Sequence, residues 1–169
     1  MKKRPSPAEL QALAAARRRS LLFVIAAVAL SLLAIVLSSE FLALHCVMLA
    51  AVTLAAALSS AWAAIPIDPS VAPRAGMQAG MGTAMAFVLP FAMLALYHFA
   101  ALDAATASRM AGEMNASQAT NLALQNITPG LEYFRGEYVS YIFGYMLFGL
   151  VFGFGLGWLG GILARHTAR

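Results

Sequence analysis

The sequence predicts an all-α integral membrane protein with four transmembrane helices and both termini in the cytoplasm. Three observations carry this reading. First, 62% of the 169 residues are hydrophobic and 11% charged, whereas soluble domains carry roughly 25% charged residues. A water-soluble fold of this length could not bury that much apolar surface. Second, the apolar residues gather into four runs of the length needed to cross a bilayer, about 20 residues each. Third, Lys and Arg sit at one set of run ends, as cytoplasmic loops require.

Residues 1–19 are polar and basic. Ser6-Pro7-Ala8-Glu9 has the order of a capped helix start, with Ser6 as N-cap, Pro7 at the first helical position and Glu9 reaching back. Leu10, Leu13 and the alanines form a weak apolar face before Arg17, Arg18 and Arg19. This predicts a short amphipathic helix on the membrane surface, leading into a first span at residues 20–38. The basic start and long apolar run are read as a retained span, because a signal peptide has a shorter apolar region and then a cleavage site.

The second span is predicted at 41–64. Only Ser38, Ser39 and Glu40 separate it from the first, so 20–64 forms a tight hairpin. A proline-rich cytoplasmic connector follows at 65–75, with Pro66, Pro69 and Pro73. The third span is predicted at 76–102 and the fourth at 138–164. Between them, 103–137 is the one sizeable segment outside the bilayer. Ala107, Met110 and Met114 share a face at helical spacing, which predicts an interfacial helix on the outer side. Pro129-Gly130 makes a turn before the fourth span, and 165–169 is a cytoplasmic tail.

With the N-terminus inside, Lys2, Lys3, Arg4, Arg17, Arg18, Arg19, Arg74, Arg165 and Arg169 are cytoplasmic, and only Arg109 and Arg135 lie outside. This bias sets the orientation. Tyr97, Tyr133, Tyr138 and Tyr141 fall near the outer boundary, and Trp62 and Trp158 near the inner one. The brevity of the loops points to a bacterial plasma (inner) membrane, multi-pass.

Several function classes are excluded or weakened. The net charge of +4 is spread over span ends rather than one face, so nucleic acid is not an expected partner. Cys46 is the single cysteine, which rules out an internal disulfide framework and CxxC chemistry. No GxSxG, HExxH, P-loop or dinucleotide-binding pattern occurs, so the chain is not read as an enzyme. No Lys, Arg, Asp or Glu lies mid-span, which argues against proton-coupled transport. Asn115-Ala116-Ser117 and Asn126-Ile127-Thr128 match the glycosylation sequon, a pattern that matters only in a eukaryotic source.

Three features remain. His45 and His98 are expected at matched depths near the outer ends of the second and third spans, where neutral imidazoles can ligate haem iron or a chlorin magnesium. The commoner role of such residues is as amphipathic side chains at headgroup level. Pro90, mid-span, removes a backbone hydrogen bond and is expected to kink the third helix. Most specific is the ladder Gly149, Gly153, Gly157 and Gly161, at a strict spacing of four. In a bilayer, glycines at this spacing form a groove that admits another helix backbone.

A second small-residue stripe, Gly76, Gly80 and Ala84, opens the third span. On antiparallel neighbours the two stripes fall at one depth, so Gly80 is expected near Gly157. Gly149, Gly144 and Gly155 are then left over for a partner. The leading functional reading is a non-enzymatic accessory or assembly subunit of a larger membrane complex. Its partners would be the lipid bilayer and other membrane subunits, and it would need no cofactor. A redox or pigment-binding subunit using His45 and His98 is the alternative, and a small channel or transporter the third.

Overall fold

A computed structural model of the chain describes residues 5–36, 42–124 and 128–168. Among these there is no strand. The helices are α1 (Pro7–Val36), α2 (Leu42–Ala64), α3 (Ala72–Ala101), α4 (Ala104–Leu124) and α5 (Leu131–Thr167), with a 3-10 turn at Pro69–Val71 before α3. Four helices are long and apolar enough to cross a membrane, consistent with a multi-pass membrane protein.

The helix ends differ from the sequence expectation in three places, and one helix is interrupted inside. The amphipathic segment and the first span are one continuous helix, α1. Its residues are mostly Ala, Leu and Arg, all strong helix formers, and nothing breaks it after Pro7. Helix α3 begins at Ala72, inside the expected connector. Helix α5 begins at Leu131, directly after Pro129-Gly130. At 37 residues it is about 55 Å long, more than a hydrocarbon core of about 30 Å. The segment after α3 holds α4, interrupted at Gln118, whose backbone (φ −133°, ψ 21°) leaves the helical region. The expected hairpin tip at Ser38, Ser39 and Glu40, the basic residues Lys2, Lys3 and Arg4, and Asn126 and Ile127 of the second sequon lie outside the described residues.

Helix starts follow from local chemistry. Ser6 Oγ accepts the Glu9 N–H at 3.1 Å, capping α1. Asp68 Oδ1 accepts the Ser70 N–H at 2.9 Å and the Ser70 hydroxyl at 2.6 Å. Asp103 Oδ1 accepts the Thr106 N–H at 2.7 Å, at the start of α4. These bonds to Ser70 hold the Asp68 carboxyl below the ordinary value of 3.8. The bond from the Thr106 N–H does the same at Asp103.

The chain forms two compact units, residues 1–90 with 146–169, and 91–145. In the larger, α1 packs on α2 and on the first part of α3, and the last part of α5 packs on α2 and α3. Its core is built of small residues: Ala12, Ala16, Ala64 and Ala75 meet around Val71, and Ala61, Ala72 and Ala164 meet beside Leu58 and Ile65. Phe87 and Leu49 are the bulkiest side chains fully buried. Large apolar side chains face outward, among them Leu22, Ile25, Leu32 and Val36 on α1, and Val151, Phe154 and Trp158 on α5. A core of alanine with Leu, Ile and Phe outside suits a lipid solvent. Lipid gives apolar side chains no reason to hide, and helices there gain by close backbone approach.

The smaller unit centres on Leu102, Ala107 and Phe134, with Met110, Met114, Leu131 and Tyr138 packed around them. The face of α4 that carries Ala107, Met110 and Met114 is therefore occupied within this unit.

Candidate functional site

The closest approaches in the larger unit join α3 and α5 through glycine. A Cβ built on Gly80 would lie 2.5 Å from Gly157 Cα, and one on Gly76 would lie 2.7 Å from Gly161 Cα. From the other side, a Cβ on Gly153 would meet Met81 Cα at 2.8 Å and the Ala84 Cβ at 3.1 Å. A Cβ on Gly161 would meet Pro73 Cα at 2.6 Å. As the α3 numbers rise, the α5 numbers fall, so the two segments run antiparallel. The opposing atoms are mostly backbone and cannot rotate away, so any side chain at Gly80, Gly157 or Gly161 must push the helices apart.

Gly149 is not left over for a partner. Its Cβ would stand 2.6 Å from Val88 Cγ2 and 3.2 Å from Met85 Sδ, so the ladder is used along its whole length. One contact was not read from the sequence: a Cβ on Gly160 would lie 2.7 Å from the Ala57 Cβ of α2. Gly160 is eleven residues past Gly149, three turns on and nearly in line, so the glycine pair at 160 and 161 serves two neighbouring helices. The α2–α5 contact continues at Trp62, whose Nε1–H donates to Thr167 Oγ1 at 3.3 Å.

Gly155 and Gly144 are different: a Cβ at either meets nothing within 4 Å. Around Gly155 stand Val151, Phe154, Trp158 and Leu159, all exposed. The outward face of α5 thus carries a one-residue notch between bulky apolar side chains.

His45 lies in the larger unit and is partly buried. His98 lies in the smaller unit and is exposed. The His98 ring stacks on Tyr138 with centroids 5.8 Å apart and planes at 16°, and meets Tyr97 edge-on at 5.6 Å. Among the described residues no group of three or more His, Cys, Asp or Glu comes together. Pro90 lies within α3, which continues through it as a helix, and the division between the two units falls there.

A second feature escaped the sequence reading. Between α1 and α3 lies an open crevice of about 640 Å³, whose polar lining is Arg17, Ser20 and Gln78. On α1 its wall is Leu10, Leu13, Ala14 and Arg17, at helical spacing. On α3 it is Ala75, Gln78, Ala79 and Gly82, at the same spacing. The signal was present in both stretches, but the first shows only once 7–36 is taken as one helix. An ion pair between Arg74 and Glu9 at 3.1 Å ties the two helices beside it.

Comparison with protein families, curated proteins and solved structures finds no match for this chain.

Proposed function

We propose that the chain is a non-catalytic membrane subunit that acts by lateral helix packing, as an accessory or assembly component of a larger complex in a bacterial plasma membrane. The carrying observation is the notch at Gly155. The rest of the α5 glycine series in the larger unit is pressed against α2 or α3, whereas Gly155 is open and flanked by Val151, Phe154, Trp158 and Leu159. In water a missing side chain on an outward face has no use, and glycine there costs about 1 kcal/mol of helix propensity. In a bilayer it admits the backbone of a neighbouring helix. The Lys and Arg bias supports an orientation with both termini in the cytoplasm.

The reading is tested by purifying the chain from its native membranes in a mild detergent. It predicts co-migration with larger membrane subunits. A stable lone monomer would overturn it.

A further inference from the structure

The crevice between α1 and α3 carries polar side chains that helix packing does not use. Small residues (Ala14, Ala16, Ala75, Ala79 and Gly82) line it, and Ala16 and Ala75 also pack in the core beneath it. Its volume, about 640 Å³, is in the range of small-ligand sites, about 300–1,000 Å³. Two residues with strong hydrogen-bond donors, Arg17 and Gln78, line it, both of them exposed. Among the described residues neither side chain has a hydrogen-bond or ion-pair partner, whereas the neighbouring Arg74 is neutralised by Glu9. No carboxylate lines the space. A cation would therefore find no counter-charge in it, and an anion would find one.

Position narrows the anion. Arg17 stands immediately before the apolar stretch of α1, and Gln78 is about 9 Å from the start of α3. Both lie where an apolar run gives way to charged residues, the depth of lipid phosphates. Beyond Arg17 and Gln78 the lining turns to Ala79 and Gly82 on α3 and to Ser20 on α1, whose hydroxyl already donates to the Arg17 carbonyl at 2.9 Å. One end of the crevice thus offers charge-assisted donors and the other a smooth apolar surface.

We propose that this crevice binds an anionic phospholipid. Its phosphate is held by Arg17 and Gln78, and the start of an acyl chain lies along Ala79 and Gly82. Such a lipid would add a bridge between α1 and α3 beside the Arg74–Glu9 pair and the buried contacts of Ala12 and Ala16 with Ala75.

The test uses the full chain in mild detergent, titrated separately with phosphatidylglycerol, phosphatidylcholine and inorganic phosphate. Retained adducts are read by native mass spectrometry and stability by thermal unfolding. Phosphatidylglycerol is expected to bind and to raise the unfolding temperature. Phosphatidylcholine carries the same phosphate but is expected to bind about tenfold more weakly, because its choline cation cancels the net charge and meets Arg17 with like charge. Arg17→Gln and Gln78→Leu should each weaken phosphatidylglycerol by a similar factor. Arg18→Gln, whose side chain does not line the crevice, should not. Gly82→Ala should narrow the acyl position without disturbing the fold, because its new Cβ meets only Val24 Cγ2, at 4.0 Å. Equal binding of the two lipids would overturn the proposal. So would equal losses from Arg17→Gln and Arg18→Gln, which would mean general surface attraction. Full stabilisation by inorganic phosphate alone would also overturn it, in favour of a small-anion site.

Discussion

Gly155 and Gly157 are two residues apart on one helix, yet they stand in opposite situations. A side chain at Gly157 would meet Met77 Cα at 3.0 Å, while one at Gly155 would meet nothing. Gly157→Leu must separate α3 from α5, and overpacking against backbone costs about 3 kcal/mol or more. A marked fall in folded yield and unfolding temperature is the expected outcome. Gly155→Leu should leave both unchanged. Buried hydroxyls supply a second contrast. Thr53, Ser60 and Thr83 are fully buried, and their hydroxyls have no hydrogen-bond partner among the described residues. Ser31, by comparison, donates to the Val28 carbonyl at 2.8 Å. An unpaired hydroxyl in an apolar interior contributes nothing and costs its desolvation. Thr83→Val, which keeps the side-chain shape, should therefore be neutral or stabilising by up to about 1 kcal/mol. Calorimetry in detergent checks this, and a loss of more than about 1 kcal/mol would reveal a hydroxyl contact that stabilises the fold.

At the scale of the element, the carboxylate-capped starts make the fold sensitive to acid. Hydrogen bonds from Ser70 and Thr106 stabilise the ionised forms of Asp68 and Asp103, so both bind protons more weakly folded than unfolded. Their contribution is complete above the ordinary value of 3.8 and is lost as pH falls below it. An Asp103→Ala variant should lose stability relative to the parent at neutral pH. That difference should shrink only as pH is lowered below 3.8, read from thermal unfolding at a series of pH values. The four apolar helices were legible because membrane spans need only length and composition. Their ends were less so. The step from Arg17–Arg19 into the apolar run marks a change of surroundings, but Ala, Arg and Leu all favour helix and the backbone runs on. Pro129-Gly130, a true stop, set the start of α5 at Leu131 rather than at the polarity change seven residues on. The ladder of α5 was visible because its spacing repeats. Gly160 and the crevice were hidden because both depend on which helices are neighbours, which periodicity along one helix does not state.

At the scale of the whole molecule, the chemistry of solvent explains the pattern of inside and outside. Alanine and glycine occupy the contacts, and Leu, Ile, Val and Phe the exterior, the reverse of a soluble core. Such a protein holds together through backbone proximity, and under the proposed function the outward Gly155 is where the same chemistry continues into another chain. Under this reading the as-purified protein should show no visible absorption above the protein band. A band removed by changing both His45 and His98 to alanine would instead favour a bound haem or chlorin. The central claim, lateral association through the Gly155 face, is tested most directly by isolating wild-type and Gly155→Leu chains from native membranes. The co-purifying subunits and the unfolding temperature of each are then compared. The account predicts that the variant is as stable as wild type but has lost its co-purifying subunits. Retention of the same subunits by a folded Gly155→Leu chain would contradict it.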